Sequence, residues 1–382
     1  MQFFGGPPPK SDGAAAKPAA SSASSSISEL PNDHSFVWDA DLVKELEQAG
    51  ARVPRGAGDK QANKKVAQEN YRLCAEGGYQ DIHGKFHMLQ LPKGAINTTH
   101  RAPRSPGVPT APRHKETRVA VARVDTATAT RDLKQLGYGR VAALNFANAF
   151  HPGGGYVNGA RAQEEDLCRL IPTLFGSLKK LKYPIKEYEA HYTQGWLARS
   201  AGTYSLDDEP LLVDIVSSAM PDLGSAWNKI RLDSEEWHQT VRTRMRAVLH
   251  AAKEEHAEAV VLGAFGCGAF LNPPEAVAPL MVDVIRSDEF RGAFRCVVFA
   301  ILVNHDRESA NFNHFKLACQ DGKTGGLCTP HDQQRRAPVG AAAASGAGRA
   351  GGANGSGAAA GAGARDGANG SGSSAADPME LG

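Results

Sequence analysis

Apolar runs of strand length alternate with amphipathic helices through much of the chain, and this alternation constrains the fold more than any other sequence feature. Strands are predicted around Val119–Val124 and over Val141–Phe146, Leu211–Val216, Ala259–Leu262 and Cys296–Val303, and helices over Asp125–Leu136, Asp233–Ala252 and Val277–Ile285. Strands that are apolar on both faces are typical of parallel sheets covered by helices on both sides. We therefore expect a three-layer α/β/α fold with a mostly parallel mixed sheet, whose ligand would bind beyond the carboxyl ends of the strands.

Helix boundaries are predicted from local signals. Asp233 is the candidate N-cap of the long helix, with Glu236 three residues further on, and Pro279 is expected to kink or delay the helix around it. A short helix at residues 42–46 and a second over Ala62–Ala75 precede the first strand. Residues 92–116, which are rich in proline and arginine, are expected to form an exposed loop.

Composition divides the chain into three parts. Residues 1–37 and 331–382 are dominated by Ala, Gly, Ser and Pro, so they cannot bury enough apolar surface to offset the entropy of ordering and are expected to be disordered tails. Residues 38–330 are expected to form the folded domain. The first residues are also compatible with an organelle transit peptide, although arginine is absent there.

Charge and cysteine content exclude several classes of protein. With 43 basic and 41 acidic residues, no strong field favours nucleic acid, and no direct sequence-specific nucleic-acid binding is expected. No apolar stretch approaches the ~20 residues of a membrane span. The six cysteines include no Cys-x-x-Cys pair, so neither a zinc site nor a disulfide framework is predicted. We expect a monomer in a reducing compartment, the nucleus or the cytoplasm, with no cofactor.

A glycine-rich loop follows the predicted strand Val141–Phe146. Gly153, Gly154 and Gly155 are followed by seven residues and then by Gln163, Glu164 and Glu165. Three glycines let backbone N–H groups approach a ligand closely, which suits a diphosphate. Repulsion between two adjacent carboxylates raises at least one pKa, as a general acid requires.

A second loop follows the strand Ala259–Leu262 and contains Gly266, Cys267, Gly268, Ala269 and Phe270. It lacks the Gly-Lys-Ser/Thr of a nucleoside triphosphate loop, so triphosphate hydrolysis is not expected. A diphosphate held by backbone dipoles fits better. The Cys267 thiol could be a nucleophile, but the sequence favours an inert residue in a tight turn because no base is implied nearby.

The two loops together resemble those of the bacterial-type poly(ADP-ribose) glycohydrolases, whose fold is an elaborated macrodomain. The signature of that family is Gly-Gly-Gly, a spacer of six to eight residues and Gln-Glu-Glu, which Gly153–Gly155 and Gln163–Glu165 match. The resemblance extends over about Asp59–Lys316. It implies a macrodomain-like fold with N-terminal accessory helices and a glycosidase that cleaves the ribose–ribose bonds of poly(ADP-ribose), an activity associated with the DNA damage response.

The resemblance also implies roles for individual residues. Glu165 would be the catalytic acid, Glu164 would orient the ribose and Gln163 would support the loop. Gly153–Gly155 and Gly266–Ala269 would cradle the pyrophosphate. The phenyl ring of Phe270 would lie against the terminal ribose, and Asn145 would anchor the first loop or contact the ribose. No metal would be needed.

Three departures from the family pattern and two alternative functions remain. Asn148 stands where relatives commonly have Ser, Cys168–Pro172 replaces the small polar residues that often follow Arg in the family, and Tyr204–Asp208 only partly matches a Tyr-Ser-Pro-x-Val segment. The same glycine loops would serve a non-catalytic ADP-ribose reader, from which only the paired Glu164 and Glu165 distinguish an enzyme. The sequence also leaves open a hydrolase of mono-ADP-ribose adducts, so the expected partners are poly(ADP-ribose) or ADP-ribosylated proteins.

Overall fold

The computed structural model describes residues 34–53, 59–105, 112–226, 228–303 and 306–320. The helices are α1 (Ala40–Arg52), α2 (Lys60–Glu76), α3 (Thr126–Gln135), α4 (Gln163–Leu170), α5 (Leu174–Leu178), α6 (Glu235–Glu254), α7 (Pro274–Arg286) and α8 (Asp306–Gln320). The strands are β1 (Ser35–Trp38), β2 (Gly78–Gln80), β3 (Phe86–Met88), β4 (Asn97–Arg101), β5 (Glu116–Ala122), β6 (Val141–Phe146), β7 (Glu189–Arg199), β8 (Leu206–Ser218), β9 (Ala259–Leu262) and β10 (Cys296–Ala300).

One large sheet organises these elements in the order β1-β5-β10-β9-β6-β8-β7-β4. The pairs from β1 to β8 are parallel, whereas β7 and β4 are added antiparallel at one side. As a result, β6, β8 and β9 end at the sheet edge where β7 begins. Strands β2 and β3 form a separate antiparallel hairpin.

The sheet separates two apolar clusters, as period-2 alternation along the strands requires. In β9, Val260 and Leu262 belong to the same cluster as Trp237 of α6, and α7 and α8 also contribute to it. Ala259 and Val261 belong to the opposite cluster, with Leu133 of α3 and residues of α1, α4 and α5. This arrangement confirms the expected three-layer α/β/α architecture with a mostly parallel mixed sheet.

Five strands lie where the sequence did not predict them, namely β1, β2, β3, β4 and β7. Ser35–Trp38, largely within the predicted N-terminal tail, forms β1 and pairs with β5, so that tail boundary is wrong by a few residues. Asn97–Arg101, within the predicted loop 92–116, forms β4 and pairs with β7, which was itself not predicted. Most other residues of the two predicted tails lie outside the described ranges.

Two helix starts also differ from expectation. Ser234, not Asp233, is the N-cap of α6, because its hydroxyl accepts the N–H of Trp237. Asp233 instead has a positive φ of 59° and lies outside the helix. Helix α7 begins at Pro274, so Pro279 lies in its second turn and does not delay it. In the described ranges no helix combines the length and apolarity that a membrane crossing needs.

Candidate active site

The candidate site lies at the edge of the sheet where three neighbouring strands end. The first glycine loop follows β6, the second follows β9, and β8 on the other side of β6 ends at Ser218. Because parallel strands end at the same edge, both loops leave the sheet side by side. The phenyl ring of Phe146, the last residue of β6, contacts that of Phe265 in the second loop, with centroids 5.5 Å apart.

Gln163 joins the start of α4 to the end of β6. Its Nε2 donates to the carbonyl of Leu144 at 2.7 Å and to the hydroxyl of Thr126 at 3.1 Å. Its Oε1 accepts the backbone N–H of Phe146 at 2.8 Å. Gln163 therefore fixes the start of α4 to β6, the strand that carries the loop. This also fixes the position of the next two residues, Glu164 and Glu165.

Glu164 is a buried carboxylate that accepts three N–H donors. Its Oε1 accepts the Asn145 side-chain amide at 3.3 Å and the backbone N–H of Gly153 at 3.1 Å, and its Oε2 accepts the N–H of Asn148 at 2.7 Å. Burial raises the pKa of Glu164 to about 8, and the nearby charge of Glu165 adds to this, against the opposing hydrogen bonds. Burial, more than the repulsion expected from the sequence, is therefore the main cause of the raised pKa.

Glu165 is held by only one of its carboxylate oxygens. Its Oε1 accepts the backbone N–H of Gly155 at 2.8 Å. Its Oε2 is buried and has no hydrogen-bond partner among the described residues. A buried oxygen of this kind is costly unless a ligand or water completes it, so Oε2 of Glu165 has unfilled acceptor positions within the site.

The glycine triplet lies against these two carboxylates. A Cβ on Gly154, whose φ is +53°, would stand 2.6 Å from Oε1 of Glu165 and 3.1 Å from Oε2 of Glu164. The N–H groups of Gly153 and Gly155 donate to the carboxylates, and that of Gly154 donates to the carbonyl of His151. The N–H groups of the triplet are thus engaged within the chain, which differs from the expected diphosphate cradle.

Asn145, at the end of β6, links the carboxylate pair to β8. Its amide nitrogen donates to the hydroxyl oxygen of Ser217 at 3.0 Å and to Oε1 of Glu164 at 3.3 Å. Its Oδ1 is buried without a partner in the described part of the chain. Asn148, the departure noted in the sequence, accepts the N–H groups of Phe150 and His151 and shapes the following turn.

The second loop presents backbone donors to solvent. Gly268 and Ala269 are exposed and Phe270 is partly buried. Within the described ranges the N–H groups of Ala269 and Phe270 have no acceptor, as a phosphate-binding turn requires. Cys267 is fully buried, with its thiol near the carbonyl of Phe265, so its sulfur does not face this opening.

Buried polar residues of α2 and β7 brace the first loop, and sequence reasoning missed them. The Asn70 amide donates to the Tyr156 hydroxyl and to the carbonyls of Cys168 and Arg169, and its oxygen accepts from Arg199. Asn70 and Asn63 are polar positions on the otherwise apolar face of a predicted helix, which was the available signal. Across the described ranges no three His, Cys, Asp or Glu side chains are grouped as metal ligands.

The fold and the carboxylate pair at the start of α4 define a macrodomain-like α/β domain with its site at the carboxyl edge of the sheet. A sequence model described as the catalytic domain of microbial-type poly(ADP-ribose) glycohydrolase (PARG) matches residues 67–206. The chain belongs to this family, which confirms the resemblance carried by the two loops. A comparison with curated proteins gives no match.

Solved structures of bacterial PARGs are similar to this chain. PARG from Thermomonospora curvata is 28% identical with a TM-score of 0.57, and the match covers 68% of this chain and 99% of that one. The same protein bound to the inhibitor ADP-HPD matches at 28% identity and a TM-score of 0.56, covering 67% of this chain and 100% of that one. PARG from Deinococcus radiodurans in complex with ADP-ribose is 31% identical over 53% of this chain and 84% of that one, with a TM-score of 0.46.

Proposed function

We propose that this protein hydrolyses the ribose–ribose O-glycosidic bonds of poly(ADP-ribose) and releases ADP-ribose. Family membership supports the substrate class. The observation that carries the chemistry is the carboxylate of Glu165, which is anchored by Gly155 through Oε1 while its buried Oε2 has no partner among the described residues. A glycosidase needs such a group to protonate the leaving oxygen.

In the proposed reaction, protonated Glu165 donates its proton to the bridging oxygen as the bond from that oxygen to the anomeric carbon breaks. The anomeric carbon then carries an oxocarbenium-like charge. The Glu165 carboxylate next accepts a proton from water, whose oxygen forms the new bond to that carbon. Burial raises the pKa of the neighbouring Glu164 to about 8, so this part of the site favours the protonated form of that carboxyl group.

We assign the proton-donating role to Glu165 and the orienting role to Glu164. A carboxylate has about four acceptor positions, and three of those on Glu164 are filled by N–H donors. Its Oε2 accepts a single N–H, so it retains a position for a ribose hydroxyl. Glu164 therefore suits the recognition of a sugar, whereas Oε2 of Glu165 suits proton transfer.

The pyrophosphate is assigned to the second loop, through Gly266, Cys267, Gly268 and Ala269, with Phe270 against the terminal ribose. The exposed backbone at Gly268 and Ala269 supports this placement. Gly153–Gly155 remain part of the proposed ligand site. The surface of their loop would contact the ligand, but their N–H groups would not donate hydrogen bonds to it. Asn145, with its unpartnered Oδ1, is proposed to anchor the loop or to contact the ribose.

The proposal extends to partners and setting. Poly(ADP-ribose) or ADP-ribosylated proteins are the proposed partners of a monomer in the nucleus or cytoplasm, without a cofactor and without sequence-specific nucleic-acid binding. The folded domain is proposed to comprise the described elements, from β1 to α8, flanked by the Ala- and Gly-rich segments.

Purified protein mixed separately with poly(ADP-ribose) and with a mono-ADP-ribosylated protein tests the proposal. Release of ADP-ribose from the polymer, and its loss in Glu165→Gln, is the expected result. Release from the mono-adduct alone would replace the proposal by a mono-ADP-ribose hydrolase. Binding to either substrate without release would make the protein a reader.

A further inference from the structure

A cluster of exposed lysines lies on the connection between α5 and β7. Lys179, Lys180, Lys182 and Lys186 fall within eight residues that contain no acid, and all four are exposed. We call these four residues the lysine cluster. In the described part of the chain none of them has a carboxylate within ion-pair distance, although both signs of charge are nearly balanced over the whole sequence.

Sheet topology places this connection at the edge that carries the candidate site. Strand β7 is antiparallel to β8, with His191 opposite Ser217, so β7 starts where β8 ends. The connection that leads into β7 therefore lies at the same edge as the two glycine loops. Strand β4 also ends at this edge, since Arg101 is opposite Glu189, and the exposed Arg104 lies over the ring of Tyr188.

Direct contacts tie the connection to the first glycine loop. The backbone N–H of Ile185, between Lys182 and Lys186, donates to the carbonyl of Ala149 at 2.8 Å. The ring of Phe175 in α5 packs on that of Tyr156, with centroids 5.1 Å apart, and a Cβ on Gly153 would stand 2.6 Å from the Phe175 ring. The lysine cluster is thus held at a fixed place beside the loop that positions the carboxylates.

Two further features hold the cluster in place. Arg244 of α6 donates to the carbonyls of Ile185 and Lys186, at 3.1 and 2.6 Å, which fixes the end of the connection. The ring of Tyr183, between Lys182 and Lys186, packs edge-on against that of His191 in β7, with centroids 5.1 Å apart. The backbone is therefore ordered while the four ammonium groups remain in solvent.

We propose that the lysine cluster binds the phosphates of the part of a poly(ADP-ribose) chain that extends beyond the unit being cleaved. This inference rests on the proposed function, because it takes the substrate to be a polymer with two phosphates per unit. Unpaired ammonium groups in a row suit a flexible polyanion, which is held by charge and not by shape. The cluster would retain long chains at the site without contributing to the recognition of a single ADP-ribose.

The test compares two charge-matched variants of the full chain. The cluster variant is K179Q/K180Q/K182Q/K186Q, and the control variant K65Q/K85Q/K93Q/K115Q removes four other exposed lysines. Both are made in the Glu165→Gln background so that polymer is not consumed during binding measurements. Affinities for monomeric ADP-ribose, for poly(ADP-ribose) of ten or more units and for single-stranded RNA of equal charge are measured between 50 and 200 mM salt.

We expect the cluster variant to bind the long polymer about 10-fold more weakly than the control variant. The slope of the logarithm of its binding constant against the logarithm of the salt concentration should be shallower by up to about 3, because each lost phosphate contact removes about 0.7. Both variants should bind monomeric ADP-ribose alike. Equal polymer affinity and equal salt slope in the two variants would overturn the proposal. A preference of the Glu165→Gln parent protein for RNA over polymer of equal charge would also overturn it, as the surface would then suit nucleic acid.

Kinetics with Glu165 intact separates this proposal from the proposed function. The cluster variant should lose kcat/KM on long chains while keeping the wild-type rate on a two-unit substrate. Absence of hydrolysis in every protein, together with cluster-dependent polymer binding, would refute the hydrolase and leave the polymer-binding surface standing.

Discussion

The backbone N–H of Gly155 donates to Oε1 of Glu165 at 2.8 Å, whereas the second oxygen of the carboxylate, Oε2, is buried without a partner among the described residues. A single backbone donor thus fixes the side chain on which the proposed proton transfer depends. The same oxygen, Oε2, would carry the proton to be transferred.

Replacement of Glu165 by Gln is expected to abolish turnover and to leave ADP-ribose affinity within a few-fold of wild type. The amide keeps the shape and the acceptor for Gly155 but cannot donate the required proton, so kcat should fall at least ~10²-fold. Hydrolysis of poly(ADP-ribose) and calorimetric titration of ADP-ribose measure the two quantities. Glu116→Gln, an exposed change at the start of β5, is the control. A near-wild-type rate in Glu165→Gln would remove Glu165 from this role.

Replacement of Gly154 by Ala is expected to reduce activity strongly, because the added Cβ would meet Oε1 of Glu165 at 2.6 Å and the residue has a φ of +53°. The carboxylate would have to move, and a displacement of that size costs roughly 10²-fold in rate. Gly176→Ala in α5 is the matched control, since a Cβ there meets nothing within 4 Å. Equal rates in the two variants would show that the position of Glu165 does not depend on this glycine.

The central part of the site could be predicted from the sequence because its signals are local. An apolar strand that runs into glycines, followed by Gln163 and two acids, predicts a strand, a turn and a helix terminus at a sheet edge. The sequence could not predict which acceptors the backbone N–H groups of the glycine loop bind. Whether the N–H of Gly155 meets a phosphate or Glu165 depends on how a loop folds back on α4, which no short-range pattern encodes.

Polar residues explain why the sequence did not predict strands β4 and β7. Strand β4 has the sequence Asn-Thr-Thr-His-Arg and lies at the border of the sheet, so it has no apolar face to signal burial. Strand β7 buries Glu189, His191 and Thr193, whose partners come from distant segments; His191, for instance, bonds to Thr99. Hydrophobic periodicity detects strands by their buried apolar residues, so it does not detect a strand whose buried residues are polar and are paired with distant segments.

The free energy of unfolding should decline as pH rises through the range set by Glu164. Its folded-state pKa of about 8 lies above the ordinary 4.5, so the bound proton stabilises the folded state below 4.5 and this contribution is lost as pH rises towards and past 8. Compared with Glu164→Gln, wild type should lose on the order of 4 kcal/mol of unfolding free energy between pH 5 and 9. Urea titrations at both pH values measure this, and parallel pH profiles for the two proteins would contradict it.

Removal of residues 1–33 and 337–382 is expected to leave the melting temperature and the hydrolysis rate unchanged. Their composition offers few apolar contacts and no proposed catalytic group. The N-terminal cut must stop before Ser35, whose N–H bonds to the carbonyl of Lys115 in front of β5. A deletion that extends through Trp38 removes β1 and serves as the destabilised comparison. A loss of many degrees from the shorter deletion would mean that a terminal segment packs on the domain.

Substitutions at two glycines of the second loop should have different effects: one should weaken ADP-ribose binding and the other should lower the free energy of unfolding. Gly268 does not have a positive φ and a Cβ there meets nothing within 4 Å, so a side chain adds no backbone strain and Gly268→Val should fold normally. Its side chain would occupy the space proposed for the pyrophosphate, which should weaken ADP-ribose binding by about 2 kcal/mol, or roughly 30-fold.

Gly266 has a φ of +76°, and a Cβ there would lie 2.6 Å from the Cβ of Met220, so Gly266→Ala should lower the free energy of unfolding by roughly 1–3 kcal/mol. Gly176→Val controls for the added valine, and Cys267→Ser should keep most binding and activity because the thiol is buried. Thermal unfolding and calorimetric titration of ADP-ribose separate the effects. Unchanged affinity in Gly268→Val would exclude this loop as the pyrophosphate site, and an inactive Cys267→Ser with intact binding would restore the thiol as a candidate nucleophile.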